Sequence, residues 1–267
     1  MKVGSMLIVL LAVVLTSSGW AMGQEDADAI IQHSVEANKR DWDAAPQFDC
    51  LERDRVSSGT KTYEDTMILG SPYQRLVAVN GKPLAPAQAA AEKQKLENTT
   101  SERKKESPRQ RSARIARYEK ERRRNHLLME QMTKAFAFKV VDETNLHGHE
   151  VYVLQATPRP GYRPPNMETE ALTGMEGKMW IDKGSFQWVK VEAQVTHPVS
   201  IAGFLAQVEP GTHFELEKEP VTPEIWLPSH FSMRARSRIL FLIPHRGQED
   251  DTYFNYHKGS TKSESTK

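Results

Sequence analysis

Cysteine is nearly missing: Cys50 is the only one in 267 residues, which excludes an internal disulfide and any cysteine cage for a metal. An excess of either charge is missing too. With 36 Lys and Arg against 35 Asp and Glu the net charge is +1, too little for a surface that displaces counterions from nucleic acid, so no nucleic-acid partner is expected. No apolar run reaches the roughly 20 residues that a bilayer-spanning helix needs. The sequence holds no G-x-S-x-G, no H-E-x-x-H, no G-x-x-x-x-G-K and no G-x-G-x-x-G, so the acyl-transfer, zinc-protease and nucleotide chemistries carried by those motifs have no foothold. His147-Gly148-His149, with His245 and His257 as conceivable companions, lacks a third ligand at metal spacing and reads as a polar turn. Asp182, ahead of Lys183-Gly184, likewise reads as a turn residue. No catalytic residue, metal or cofactor is expected, and the chain is read as non-enzymatic.

What is present begins with an address. Lys2 precedes ten consecutive apolar residues, Met6 to Leu15, and small residues follow at Gly19, Ala21 and Gly23. Charge, short apolar core and small residues in that order make residues 1–24 a secretory signal peptide. The mature protein is therefore expected in the periplasm.

Residues 25–42 carry apolar residues at helical spacing, and Pro46 ends that helix. From Gln47 the period changes to two, predicting strands over 47–57, 60–70 and 73–79, with Asn80-Gly81 closing the third. Residues 84–135 break this pattern with a helical insertion that Pro108 divides. From Arg103 to Arg124 it holds eleven Lys and Arg against three Glu. Ile115, Tyr118, Arg122, Asn125, Met129, Met132 and Phe136 fall on one face, a stripe that either docks on the domain or forms a coiled-coil seam.

Strand periodicity returns from Phe136. Hairpins are expected around 145–149, around Lys183-Gly184, and between 201–208 and 212–219 around Pro210-Gly211. Residues 225–243 read as a strand pair or one bent strand, and 251–257 as the last strand. The tail, 258–267, has no apolar anchor. In the strand at 186–196, Val189, Val191, Ala193 and Val195 should share one face and Trp188 the other. Arg234, Arg236 and Arg238 should project from the next long strand, either pairing with the row Glu215, Glu217 and Glu219 or meeting anionic headgroups or an acidic partner.

The expected fold is α+β, mainly β. One domain over 25–257 would form a curved antiparallel sheet of about ten strands, an incomplete β-barrel, with helices covering its concave face, because a wide sheet with one apolar face curls and needs a cover. Ile31, Val35, Phe136, Phe138, Val189, Val191, Val195, Phe231, Met233 and Phe241 would line the space between sheet and helices.

The signal sequence, the helix ADAIIQHSVEAN and the hairpin GKMWIDKGSFQWVKVEAQV together resemble the outer-membrane lipoprotein-sorting carriers, the LolA/LolB-like superfamily, over most of residues 26–257. That resemblance implies an open barrel whose hydrophobic concavity holds lipid or lipoprotein acyl chains. For the regulator branch it implies an envelope protein as partner, here through the helical insertion. The insertion itself and the long C-terminal strands depart from the carriers, and the insertion's basic run also suits peripheral contact with a membrane.

Overall fold

A computed structural model describes residues 19–201, 206–239 and 243–259. The apolar run Met6 to Leu15, Phe241 and the tail beyond Gly259 lie outside them. The first helix, α1, is longer than the periodicity indicates and spans Gly19–Ala44. Ala27, Ile30, Ile31, Ser34, Ala37, Asn38 and Asp41 are buried along it, the three-to-four spacing of one helix face. A 3-10 turn at Ala45–Gln47 containing Pro46 ends it.

The strands follow as β1 (Phe48–Val56), β2 (Gly59–Ile68), β3 (Ser71–Val79) and the short β4 (Lys82–Pro83). The insertion forms α2 (Pro86–Lys105) and α3 (Pro108–Ala135). Pro108 is the first residue of a new helix, and Ser107 and Gln110 cap it reciprocally. Then come β5 (Phe136–Leu146), β6 (His149–Pro158), a short α4 (Met167–Glu170), β7 (Met175–Asp182) and β8 (Trp188–Val195). The last strands are β9 (Val199–Ile201), β10 (Ala206–Val208), β11 (His213–Pro220), β12 (Trp226–Ile239) and β13 (Ile243–Lys258).

All described pairings are antiparallel, and the sheet runs β4-β3-β2-β1-β13-β12-β11-β8-β7-β6-β5 without closing. The fold class is thus the expected one, with thirteen described strands instead of about ten. The β5–β6 turn has positive φ at His147 and Gly148, the two-residue geometry that matches strand twist. Asp182 is a turn residue: its Oδ1 accepts from the Gly184 and Ser185 backbones.

Three expectations need correction. Residues 201–208 and 212–219 do not form a hairpin: β10 pairs with β9 and β12, while β11 returns to β8 with Phe214 opposite Ala193 and Leu216 opposite Val191. Matching apolar partners outweigh the adjacent turn. The last strand begins at Ile243 and extends through the charged run Arg246–Asp251, whose polarity conceals its pairing with β12. Finally, Val189 does not share a face with Val191. Trp180 pairs with Lys190 and Ile181 with Trp188, so Val189 is the extra residue of a bulge, and a bulge reverses the alternation on one side. Trp188 consequently joins the core cluster of Ile31, Phe138 and Val191, and Val189 joins a second cluster with Val151 and Trp226.

The insertion docks on the domain along the expected stripe. Ile115 lies against Gly70, where a Cβ would come within 2.9 Å of it, so glycine serves there both the close approach and a φ of +88°. Arg103 donates to the carbonyls of Ile68, Ser71 and Pro72. Arg114 donates to Leu69 O and Ser71 Oγ and pairs with Glu106 at 2.6 Å. Further along, Arg122 and His126 stack on Trp42 of α1, at 4.2 and 4.4 Å. Met129 and Met132 reach the core cluster. Because β4 and β5 are the two ends of the sheet, α2 and α3 carry the chain from one edge to the other.

Candidate functional site: a cleft beneath the first helix

Cross-strand partners share a sheet face, and two rows trace the inner one. Ala193, Phe214, Met233 and Glu249 form one; Val191, Leu216, Phe231, Asp251 and Asp54 form the other. The face is apolar on β8, β11 and β12 and becomes acidic on β13 and β1. α1 covers the apolar part, packing mainly on β5 and also on β12.

A buried ionic contact fixes the C-terminal half of α1. Lys218 of β11 and Asp41 are 6% and 3% exposed. The Lys218 ammonium donates to Asp41 Oδ2 and to Asn38 Oδ1. Asp41 Oδ1 accepts from the Trp226 backbone and from Gln187 Nε2, each at 3.0 Å. Burial pulls the Lys218 ammonium below its ordinary range, against the opposing pull of the Asp41 carboxylate. Every donor in this group has an acceptor, which a buried charge requires.

Nearer the N-terminus, α1 leaves a cleft of about 530 Å³ lined by Ala29, Ile30, His33, Val140, Glu143, Tyr152 and Phe186. That volume lies in the range of small-ligand sites. Its floor is continuous with the core: Ile30 belongs to the main cluster, and Val140, Tyr152 and Phe186 pack against it. The rim is polar. His33 meets the Phe186 ring at 4.7 Å. Lys183 reaches Glu143 at 2.6 Å and lies 5.2 Å from the centre of the Tyr152 ring. The Glu143 carboxylate holds the Lys183 ammonium above its usual range.

The residues predicted to line the interior fall into distinct places. Ile31, Phe136, Phe138 and Val191 come together, all at most 4% exposed, as filled core beneath the cleft rather than as its wall. Val195 is buried opposite Met175 at the end of β8. Val35 is half-buried on α1, and Phe231 and Met233 are half-buried where the inner face turns acidic. Val189 is on the far side of the sheet. Phe241 lies outside the described residues.

Arg234 and Arg236 are exposed on the outer face, opposite to Met233, so neither can meet a group held in the cleft; the Arg238 side chain is not described. The expected pairing with a glutamate row is replaced by another. Lys190 takes Glu192, Glu215 and Glu217 within 3.4 Å, because β11 sits between β8 and β12 and offers its acids to both. His230 sits between Glu215 and Asp250, at 3.9 and 3.3 Å.

Two features escaped the sequence reading. Phe186, with φ of +57°, enters the cleft from a turn that the sequence marks only as Lys183-Gly184. On the acidic part of the inner face, Glu52 accepts from Gln74 and Tyr253, with Asp65, Asp54 and Asp251 among its charged neighbours. Burial first, then the hydrogen bond and charge of Asp65, push Glu52 up to about 8. Burial, followed by repulsion from Glu249 and Asp54, pushes Asp251 up to about 6.

Among the described residues no group of three His, Cys, Asp or Glu could hold a metal ion, and no helix is long and apolar enough to cross a membrane. The sequence matches no family model and no curated protein. Solved structures overlap with it over most of their length. An outer membrane lipoprotein-sorting protein domain from Vibrio parahaemolyticus is 13% identical with a TM-score of 0.36, over 90% of this chain and 95% of that one. A DUF1329 family protein from Desulfovibrio piger is 8% identical with a TM-score of 0.33, over 89% and 95%. The Pseudomonas aeruginosa MucA/MucB complex gives 11% and 0.26, over 88% and 99%. With every one of these TM-scores below 0.5, the functional reading rests on this chain's own residues.

Proposed function

We propose that this is a non-enzymatic periplasmic protein that binds a lipid or lipoprotein by an acyl chain. The observation that carries the reading is the 530 Å³ cleft whose floor is Ile30, Val140, Tyr152 and Phe186. An acyl chain needs no polar motif. Each methylene taken from water contributes about 0.8 kcal/mol, and the cleft offers aliphatic and aromatic walls in the site and polar groups only at the mouth. The Lys183–Glu143 pair and His33 stand where a headgroup would leave the cleft. Export is supported by the signal-type sequence at residues 1–24.

Purified protein, stripped of lipid, should bind a fluorescent fatty acid, and a saturated fatty acid should displace it. Val140→Trp fills the cleft from a half-buried position on β5 and should weaken that binding at least tenfold, about 1.4 kcal/mol, with unchanged urea stability. Failure of wild-type protein to bind the probe, or undiminished binding by Val140→Trp, would remove the reading.

A further inference from the structure

We infer that the outward face of α3 docks the protein on an anionic membrane surface, through the phosphates of lipid headgroups. Residues 103–124 carry a net charge of +8, against +1 for the whole chain, so the remainder is negative and the molecule is electrically polarised. The cations of this segment divide into two sets. Arg103, Arg114 and Arg122 are turned inward, onto backbone carbonyls and the Trp42 ring. The nearby acids Glu106 and Glu119 pair with two of those same three arginines. Lys104, Lys105, Arg109, Arg111, Arg117, Lys120, Arg123 and Arg124 are all exposed, with Glu121 as the exposed acid inside the segment.

At 100° per residue, Arg109, Arg117, Lys120, Arg123 and Arg124 fall within an arc of about 120°, together with Ala113 and Ala116. The row from Arg109 to Arg124 is about 23 Å long. It is held rigidly, because the opposite side of the helix is pinned by Ile115 at Gly70 and by the Trp42 stack. Between Arg109 and Arg124 the arc contains no large apolar side chain, and Leu127, the next residue on it, is half-buried. A protein partner would need desolvated aromatic or aliphatic anchors there. A headgroup layer is wet and attracts cations by charge alone, and without apolar anchors the helix rests on that layer and does not enter it. This inference is independent of the cleft.

The test is co-sedimentation with vesicles of phosphatidylcholine containing one-quarter phosphatidylglycerol, and with phosphatidylcholine alone, at low and high salt. Wild-type protein should partition onto the anionic vesicles at low salt and be released at high salt. Each cation near the surface contributes about fivefold. The variant Arg117→Gln, Lys120→Gln, Arg123→Gln, Arg124→Gln should therefore lose on the order of 600-fold in partition. A variant with equal charge loss on other exposed positions, Arg40→Gln, Lys82→Gln, Arg163→Gln, Lys258→Gln, should stay close to wild type. Equal loss in both variants, equal binding to neutral vesicles, or binding to polyglutamate without binding to vesicles would overturn the inference. Circular dichroism of both variants, and their affinity for the fatty-acid probe, identify any loss that comes from misfolding.

Discussion

Replacing Lys218 with Met should destabilise the fold by about 3–5 kcal/mol, read as a fall in the urea midpoint with an unchanged slope. The Coulomb attraction itself is not what is lost. Asp41 is 3% exposed, and a buried carboxylate left without its cation costs far more than the pair contributes against an apolar replacement. A second variant separates these effects. Lys218→Met combined with Asp41→Leu removes both charges, yet leaves the Trp226 N–H and the Gln187 amide without the acceptor they share. The double variant should recover part of the loss and not all of it, since each orphaned buried donor costs about 1–3 kcal/mol. Full recovery would mean that the hydrogen bonds from Trp226 and Gln187 to Asp41 add nothing. A single variant as stable as wild type would mean that α1 is held elsewhere.

Stability should also fall as pH rises from about 5 to about 8, by about 3 kcal/mol, and the carboxylates of the inner face are the reason. Glu52 binds its proton up to about 8 in the folded chain against 4.5 as its ordinary value, and Asp251 up to about 6 against 3.8. Between those values the folded state holds more protons than the unfolded one, so raising the pH favours unfolding. The contribution is fully present below the ordinary values and is lost as pH passes the raised ones. The figure is well under the full linkage of two such shifts, because water reaches part of Glu52 and screens its neighbours. Glu52→Gln should flatten the slope, leaving stability near pH 5 almost unchanged and raising it near pH 8 by about 2 kcal/mol. Urea titrations of both proteins at the two pH values provide the measurement. An identical slope in the variant would exonerate Glu52.

These two groups differ in how far the sequence reveals them. The helical stripe of α1, the break at Pro108 and the strands β1 to β3 follow from spacing alone, because each repeats over many residues with a proline or glycine at its end. Asp41 and Lys218 do not announce themselves: one lies on a helix and the other 177 residues away on a strand, and local pattern says nothing of a partner so distant. The inner acidic face was hidden for the opposite reason. Alternation assigns carboxylates to the water side of a strand, but here Glu52 and Asp251 sit on the concave side of β1 and β13, beyond α1, where Asp251 is buried. Val189 was misplaced by a single extra residue in β8, and Phe186 by a turn whose positive φ falls on an aromatic. Ile31, Phe136, Phe138, Val191 and Val195 are buried, but apolar periodicity does not separate a wall from a filled floor. That distinction depends on where α1 stops covering the sheet, near Ile30 and Val140.

The central seam of the sheet joins β1 to β13, the first long strand to the last. A chain made from its N-terminus therefore produces β1, β2 and β3 long before their neighbour exists, and these three strands wait with one edge open. Closure of that seam spans nearly the full length of the chain, and such distant contacts form slowly. A chain cut before residue 243 would retain two separate half-sheets, each with a bare edge free to pair with another molecule.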